Sequence, residues 1–345
     1  MLPSSLQVSI VTYRPDRVLL DRTLYRLAQA IAVAREAGVI RTVNDALIDN
    51  SGDRDNADAV VNLGRARFAD SGVQLICLAG HANIGFGAAH NLVLHGSGAN
   101  YHLVLNPDVE LDRDALTIGV RWLDAHPDIG ALAPQVFTSD GKRDYLCKRY
   151  PAVLDLALRG FTPTLGRAFF RKRMARYEMR DIIDNAPDRE VIDIPAMSGA
   201  VLLVRRKAID KSGGFDPGFF LYFEDFDWTV RLNRITRTAY VPSVKVIHHG
   251  GVRRAKVCAI SAGSSRAASV STASMAGAGS DADCVAVTGA DGFIGRALVA
   301  RLREEGWDVR AITRATHGDL AAIEPLQLVS SLRGVDTVFH LAARA

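Results

Sequence analysis

The chain has 345 residues, 48% hydrophobic and 23% charged, a balance that suits a folded protein and leaves room for two ordinary domains. Its 42 basic and 38 acidic residues leave a net charge of +4, too slight to point to nucleic acid, whose readers concentrate basic charge in a patch. Cys77, Cys147, Cys258 and Cys284 lie far apart with no CxxC spacing, which argues against a zinc knuckle or a disulfide framework and fits a reducing cytosol.

No segment approaches the roughly eighteen apolar residues of a membrane span. The opening MLPSSLQVSIV has no basic residue before its apolar run and does not read as a signal peptide. A cytoplasmic protein is expected, with peripheral contact to the inner membrane face as one option considered below.

In chain order, residues 7–13 (QVSIVTY) read as a buried strand and 21–36 as a helix ended by Gly38. Further strands are expected at 47–49, 73–78 and 101–105. A loop at 83–87 opens a helix carrying His90 and Asn91, and Asp112 suits the N-cap of a helix running to His126. Residues 146–180 interleave basic side chains such as Lys148, Arg149 and Arg171 with Leu154, Phe161 and Phe169. That pattern fits either docking on an anionic membrane surface or a solvated helix face with a packed apolar side. Strand returns at 197–204, and a helix covers 223–235.

Residues 259–283 are mostly Ser, Ala and Gly, a composition that cannot bury enough surface to offset its ordering entropy. The expected organisation is therefore an α/β domain over 1–255, a flexible linker over 256–283 and a second α/β segment over 284–345.

Polar clusters fall where strands of the first domain should end, the edge at which open α/β sheets bind ligands. They are Thr12-Tyr13, the DNSG that starts at Asp49-Asn50, the NPDVE of Asn106 to Glu110, and the FEDFDW that contains Glu224 and Asp225. His248-His249-Gly250-Gly251 follows late. VTYRP, DNSG, NIGFGAAHN, LNPDVEL, MSGAVLLVRR, GGFDPGFFLYFEDFDW and VIHHGG occur in one order over about the first 250 residues. This series resembles the rhamnosyltransferase-like branch of the inverting family 2 glycosyltransferases, which have the GT-A nucleotide-sugar-binding fold.

The resemblance implies transfer of a sugar, with rhamnose from dTDP-rhamnose as the leading donor, to a hydroxyl of a surface glycan that can be lipid-linked. It places Asp108 in the family's DxD-type position, here with Asn106 first, and His248 beside it as ligands of Mg2+ or Mn2+; His249 is the alternative. A divalent cation neutralises the charge that grows on a departing diphosphate. Glu110 would share the Asp108 side if the segment is extended. Asp225 takes the role of general base on the acceptor hydroxyl, and complementing a helix dipole is the plainer reading of the same acids. Donor binding falls to Thr12, Tyr13, Asp49, Asn50, Asn83, Gly85, Gly87, Asn91, Asn106, Gly199 and Glu224. Gly199 is equally readable as a packing glycine.

After Cys284 a short strand leads into Gly289-Ala-Asp-Gly292-Phe293-Ile294-Gly295 and a helix, a turn that brings backbone N–H groups towards a pyrophosphate. VTGADGFIG, WDVRAITR and GVDTVFHLAA together resemble the opening of an extended short-chain dehydrogenase or NAD-dependent sugar epimerase. Arg314, where an acid would hold an NAD ribose, leans towards NADP. Such enzymes use a Tyr and a Lys one helical turn apart, and neither residue occurs after Thr288. The segment is expected to be an incomplete Rossmann-like βαβ fragment that binds NAD(P) only weakly if at all. The rival readings are an NAD(P)-dependent epimerase or bifunctional fusion, and a catalytically dead nucleotide- or glycan-binding remnant.

Overall fold

The computed structural model describes residues 3–96, 98–149, 175–219, 224–250, 284–304, 306–318 and 337–340. Among them the residues up to Gly250 form one compact unit, and those from Cys284 form another. The expected linker and residues 150–174 of the basic stretch lie outside the described residues.

The first unit opens with three parallel strands and the helices between them: β1 (Ser4–Thr12), α1 (Arg17–Glu36), β2 (Ile40–Asp49), α2 (Arg54–Phe68) and β3 (Gln74–Leu78). Helix α1 starts four residues before its expected position because the Asp16 carboxylate accepts the N–H groups of Val18 and Leu19. Its buried stripe of Leu20, Leu24, Leu27 and Ile31 packs in one cluster with Leu6, Val8 and Ile10 of β1. Each such leucine contributes about 1.5–3 kcal/mol.

Next come α3 (Phe86–Leu94), β4 (Tyr101–Leu105), β5 (Val109–Leu111), α4 (Ala115–Ala125) and β6 (Ile129–Thr138). The cap of α4 is Asp114, not Asp112. The Asp112 carbonyl instead accepts the Ala115 N–H, and its own N–H is tied to Lys245 O, so it belongs to the turn before the helix.

Short strands β7 (Arg143–Asp144), β8 (Cys147–Lys148), β9 (Val191–Ile192) and β10 (Ala196–Met197) follow, with a helical turn α5 (Arg180–Ile183) among them. The unit finishes with β11 (Val201–Arg205), α6 (Arg206–Ser212), α7 (Glu224–Leu232) and β12 (Arg237–His248). The single strand expected at 197–204 is thus split. β10 pairs with β8, and only β11 enters the main sheet, because Ser198 to Ala200 turn across the sheet edge between them.

Among the described residues the main sheet has the order β3-β2-β1-β4-β11-β6-β12-β5, with β7 added on β6 and β9 on β12. β1 to β4 are mutually parallel, β11 runs against β4 and β6, and β12 runs with β6. Both faces are covered, as such a sheet requires. Leu103 and Leu105 face the α1 and α4 side, while Val104 joins Phe215, Trp228 and Leu232 on the other. Trp228 anchors that second layer by donating to Gly213 O at 2.8 Å.

One buried carboxyl in these layers bears on stability. Asp45, on the β2 strand that lies between β1 and β3, is fully buried, and burial pushes its carboxyl up to about 8. In the unfolded chain an aspartate ionises near pH 4. The folded value is the raised one, so stability is fully present below about pH 4 and is lost as pH rises through about 8. Asp45→Asn is expected to leave stability unchanged at pH 4 and to raise it at pH 8 by about 1–3 kcal/mol. Thermal melts at the two pH values check this, and equal gains at both would show that the carboxyl is not the cause.

The second unit is a three-stranded parallel sheet among the described residues, β14-β13-β15, built from β13 (Cys284–Thr288), β14 (Asp308–Ile312) and β15 (Thr337–His340). Helix α8 (Phe293–Glu304) connects β13 to β14, and Val285, Val287, Leu298, Val299 and Leu302 form its core. This is the βαβ arrangement that the glycine pattern implies.

Candidate active site

Parallel pairing brings the polar clusters to one edge. β1, β2 and β4 end at Thr12, Asp49 and Leu105, and Thr12 and Asp49 sit opposite each other in register. β11 starts at Val201 opposite Leu105, so Gly199 and Ala200 lie at the same edge, where Ala200 O accepts the Asn106 N–H at 2.8 Å. β12 runs parallel to β6 and ends there with His248 opposite Val109 and Thr138.

At this edge Asp108 and His248 meet, with Nε2 3.4 Å from Asp108 Oδ1. The Asp108 carbonyl also accepts the His249 N–H at 3.0 Å, which fixes the two chain segments to each other. Burial lowers the His248 pKa, but its contacts with Asp108 and Asp144 outweigh that and raise it to about 9. Gly250 lies so close that a Cβ there would meet the Asp108 carboxylate and push it aside.

His249 is not part of this pair. Its Nε2 meets Glu110 Oε1 at 2.7 Å, and Glu110 is 4% exposed and paired with Arg22 and Arg26 of α1. Glu110 therefore does not share the Asp108 side: it serves the contact between β5 and α1, and its extended backbone carries its carboxylate to that helix. His248 is the histidine whose ring faces the Asp108 carboxylate.

Helix α7 begins with the acidic pair. Asp225 accepts the Gly199 N–H on Oδ2 and the Phe226 N–H on Oδ1, each at 2.9 Å, so its carboxylate is held against the turn between β10 and β11. Gly199 is a close approach as well, because a Cβ would come within 3.3 Å of Asp225 Cβ and 3.2 Å of the Phe86 ring. Glu224 is buried, and burial together with the charge of Asp225 raises its pKa to about 7.

Around the Thr12 and Asp49 edge the side chains are largely engaged with one another. Asp49 is 2% exposed and accepts from Ser51 Oγ at 2.6 Å, Asn56 Nδ2 at 2.7 Å and Thr12 Oγ1 at 3.3 Å. Asn50 donates to Gly85 O and meets His81 Nε2, each at 2.9 Å, so the 49–52 and 81–85 loops are stitched together. Asn83 accepts the Gly85 N–H, and Gly85 has φ +92°, a conformation that favours glycine at the start of α3. Gly87 has a packing reason, since a Cβ would fall 2.7 Å from Phe215 Cβ. Asn91 clamps the Phe215 backbone with both ends of its amide, at 2.7 and 2.9 Å, which gives it a structural task in this position. Tyr13 is 56% exposed at the lip of the edge.

His81 and Asp144 are the neighbours of this site that motif reading passes over. Asp144 stands in a polar hairpin (GKRDY) with no motif of its own, and His81 is separated from Asn50 by 31 residues that only folding brings together.

In the second unit Gly289 has φ +66°, its carbonyl accepts the Gly292 N–H at 3.0 Å, and a Cβ on Gly295 would strike it. Phe293 and Ile294 open α8, and Arg314 opens the short helix α9 (Arg314–His317), capped by Thr313. The glycine turn thus stands between the end of β13 and the start of α8, where a pyrophosphate site is expected.

Among known proteins, the chain is 28% identical over 262 residues to the N-acetylglucosaminyl-diphospho-decaprenol L-rhamnosyltransferase of Mycobacterium tuberculosis (strain ATCC 25618 / H37Rv), covering 71% of this chain and 76% of that protein. It is 26% identical over 153 residues to the rhamnosyltransferase WbbL of Escherichia coli (strain K12), covering 44% of this chain and 52% of that one. Residues 285–345 match the NAD dependent epimerase/dehydratase family. Among solved structures, GalNAc-T7 with UDP, GalNAc and Mn2+ is similar at a TM-score of 0.49 and 14% identity, over 72% of this chain and 44% of that one. The mannosyltransferase PcManGT from Pyrobaculum calidifontis in complex with GDP-Man and Mn2+ gives 0.46 and 16%, over 73% and 58%.

The sequence likeness marks the chain as a glycosyltransferase. Within that class the relatives named are rhamnosyltransferases, and the C-terminal residues carry a separate likeness to epimerases.

Proposed function

We propose that the first unit catalyses inverting, metal-assisted transfer of a sugar, with rhamnose from dTDP-rhamnose as the leading donor, to a hydroxyl of a lipid-linked glycan. The observation that carries this reading is the convergence of Asp108, His248 and the Asp225–Gly199 contact on one edge of the sheet. The acceptor class is supported by the M. tuberculosis relative, whose name includes a diphospho-decaprenol. The basic residues of 146–180 would supply the peripheral membrane contact that such an acceptor needs.

The residues at the edge suit a divalent cation. Asp108 offers hard oxygen and His248 an imidazole, and two protein ligands leave room for phosphates and water, as magnesium-type sites do. Among the described residues no three His, Cys, Asp or Glu side chains are placed to hold an ion by themselves, so the diphosphate has to complete the site. Bound there, Mg2+ or Mn2+ supplies neutralisation of charge on the leaving diphosphate. The chain's own part would be to hold at Asp108 and His248 the cation that the diphosphate shares, to place the donor along the Thr12–Asp49 edge, and to take the acceptor proton at Asp225.

The test is a panel of nucleotide-sugar donors assayed with Mg2+ or Mn2+, with and without a chelator. Turnover of one dTDP-sugar that chelation stops is the expected result. Metal-independent turnover, or no hydrolysis or transfer with any donor, overturns it; the latter favours the binding-remnant reading. The second unit is read as an NAD(P)-binding fragment that takes no part in transfer.

A further inference from the structure

The His248 ring lies between two carboxylates. Its Nε2 faces Asp108, and on its other side Nδ1 is 3.9 Å from Asp144 Oδ2. The placement is set by the sheet: β7 hangs on β6 through Val136 opposite Asp144, and β12 lies on the same β6 through Val136 opposite Val246 and Thr138 opposite His248. Asp144 is oriented from its own side, since its Oδ1 accepts the Tyr145 N–H at 2.9 Å. The His248 side chain is 12% exposed, and its Nδ1 is buried without a hydrogen-bond partner. A buried N–H left unpaired is costly, and the facing carboxylate oxygen lies only a little beyond hydrogen-bond range.

We propose that Asp144 is a positioning residue for His248. A small closing shift would let it accept the Nδ1–H, hold the imidazole in the tautomer with its lone pair on Nε2, and aim that lone pair at the space beside Asp108. The inference rests on Asp108 and His248 being the metal-binding pair of the proposed function. Asp144 itself is not a third ligand. The two ring nitrogens diverge, and no three such side chains among the described residues are placed to share one ion. Carboxylates behind a ligating histidine fix its tautomer and raise its basicity, and changing one typically costs about ten- to a hundredfold in metal affinity.

The experiment measures Mn2+ affinity in the presence of dTDP for the full chain and for Asp144→Ala, Asp144→Asn and His248→Ala. It is joined by nitrogen NMR of the His248 ring with Mg2+ and dTDP. Asp144→Ala is expected to weaken Mn2+ binding about ten- to a hundredfold and to shift the ring towards the other tautomer. Asp144→Asn keeps an oxygen that can accept the Nδ1–H, so it should restore most of the affinity and the wild-type ring signals. A general electrostatic role would make the two variants equally weak, and that outcome overturns the proposal. So does wild-type affinity with an unchanged ring signal in Asp144→Ala. Wild-type protein that binds no Mn2+ with dTDP, or binds it unaffected by His248→Ala, removes the metal reading and this inference with it. Those two results are distinct from a failure confined to the Asp144 variants.

Discussion

Asp225→Asn is expected to lower sugar transfer by about a hundred- to ten-thousandfold while leaving nucleotide binding nearly intact. An acceptor hydroxyl is a weak nucleophile, and a carboxylate that takes its proton as the new bond forms lowers the barrier. Asparagine has nearly the same shape and keeps an oxygen for the Gly199 N–H, so the turn between β10 and β11 should survive the change. It has no basic oxygen. The loss should therefore appear in kcat, and donor affinity measured by calorimetry should move little. A second signature comes from the neighbour: the charge of Asp225 is one of the causes that hold the Glu224 pKa at about 7, behind burial. Removing that charge should lower it. A variant keeping more than about a tenth of wild-type turnover would assign the base to another group.

The architecture was legible because strands and helices of an α/β sheet announce themselves by pattern. The runs at 7–13 and 101–105 coincide closely with β1 and β4, and the order of the motifs already places their ends on one edge. Short-range polar chemistry was less legible. Asp112 looked like a cap, but the helix begins three residues later behind Asp114. Glu110 follows Asp108 at a spacing of two, yet the chain turns at Asn106 to Asp108 before β5 starts, so alternation along a strand does not apply across that junction. The 197–204 run hides a break because Ser198 and Gly199 sit inside an apolar stretch, and only the two different sheets on either side reveal it. Side chains that depend on long-range neighbours, such as Asp144 against His248 and His81 against Asn50, leave no local trace in the sequence.

The second large effect is expected at the metal pair, where Asp108→Ala should damage metal-dependent donor binding more than His248→Ala. Two observations set the order. In the proposed site Asp108 would be the hard oxygen ligand, and it also pairs with His248, whose side chain is only 12% exposed against 25% for Asp108. Removing the carboxylate would thus take away both the hard oxygen ligand and the partner that the His248 Nε2 faces. Removing the imidazole leaves a carboxylate that solvent already reaches and that can still bind the ion. Changes behind a ligand cost about ten- to a hundredfold, so loss of Asp108 should exceed about a hundredfold, with His248→Ala falling inside that range. Titrating Mn2+ into each variant at fixed dTDP measures both constants directly. If His248→Ala proves the more damaging, the imidazole is the principal ligand and Asp108 serves chiefly to hold it in place.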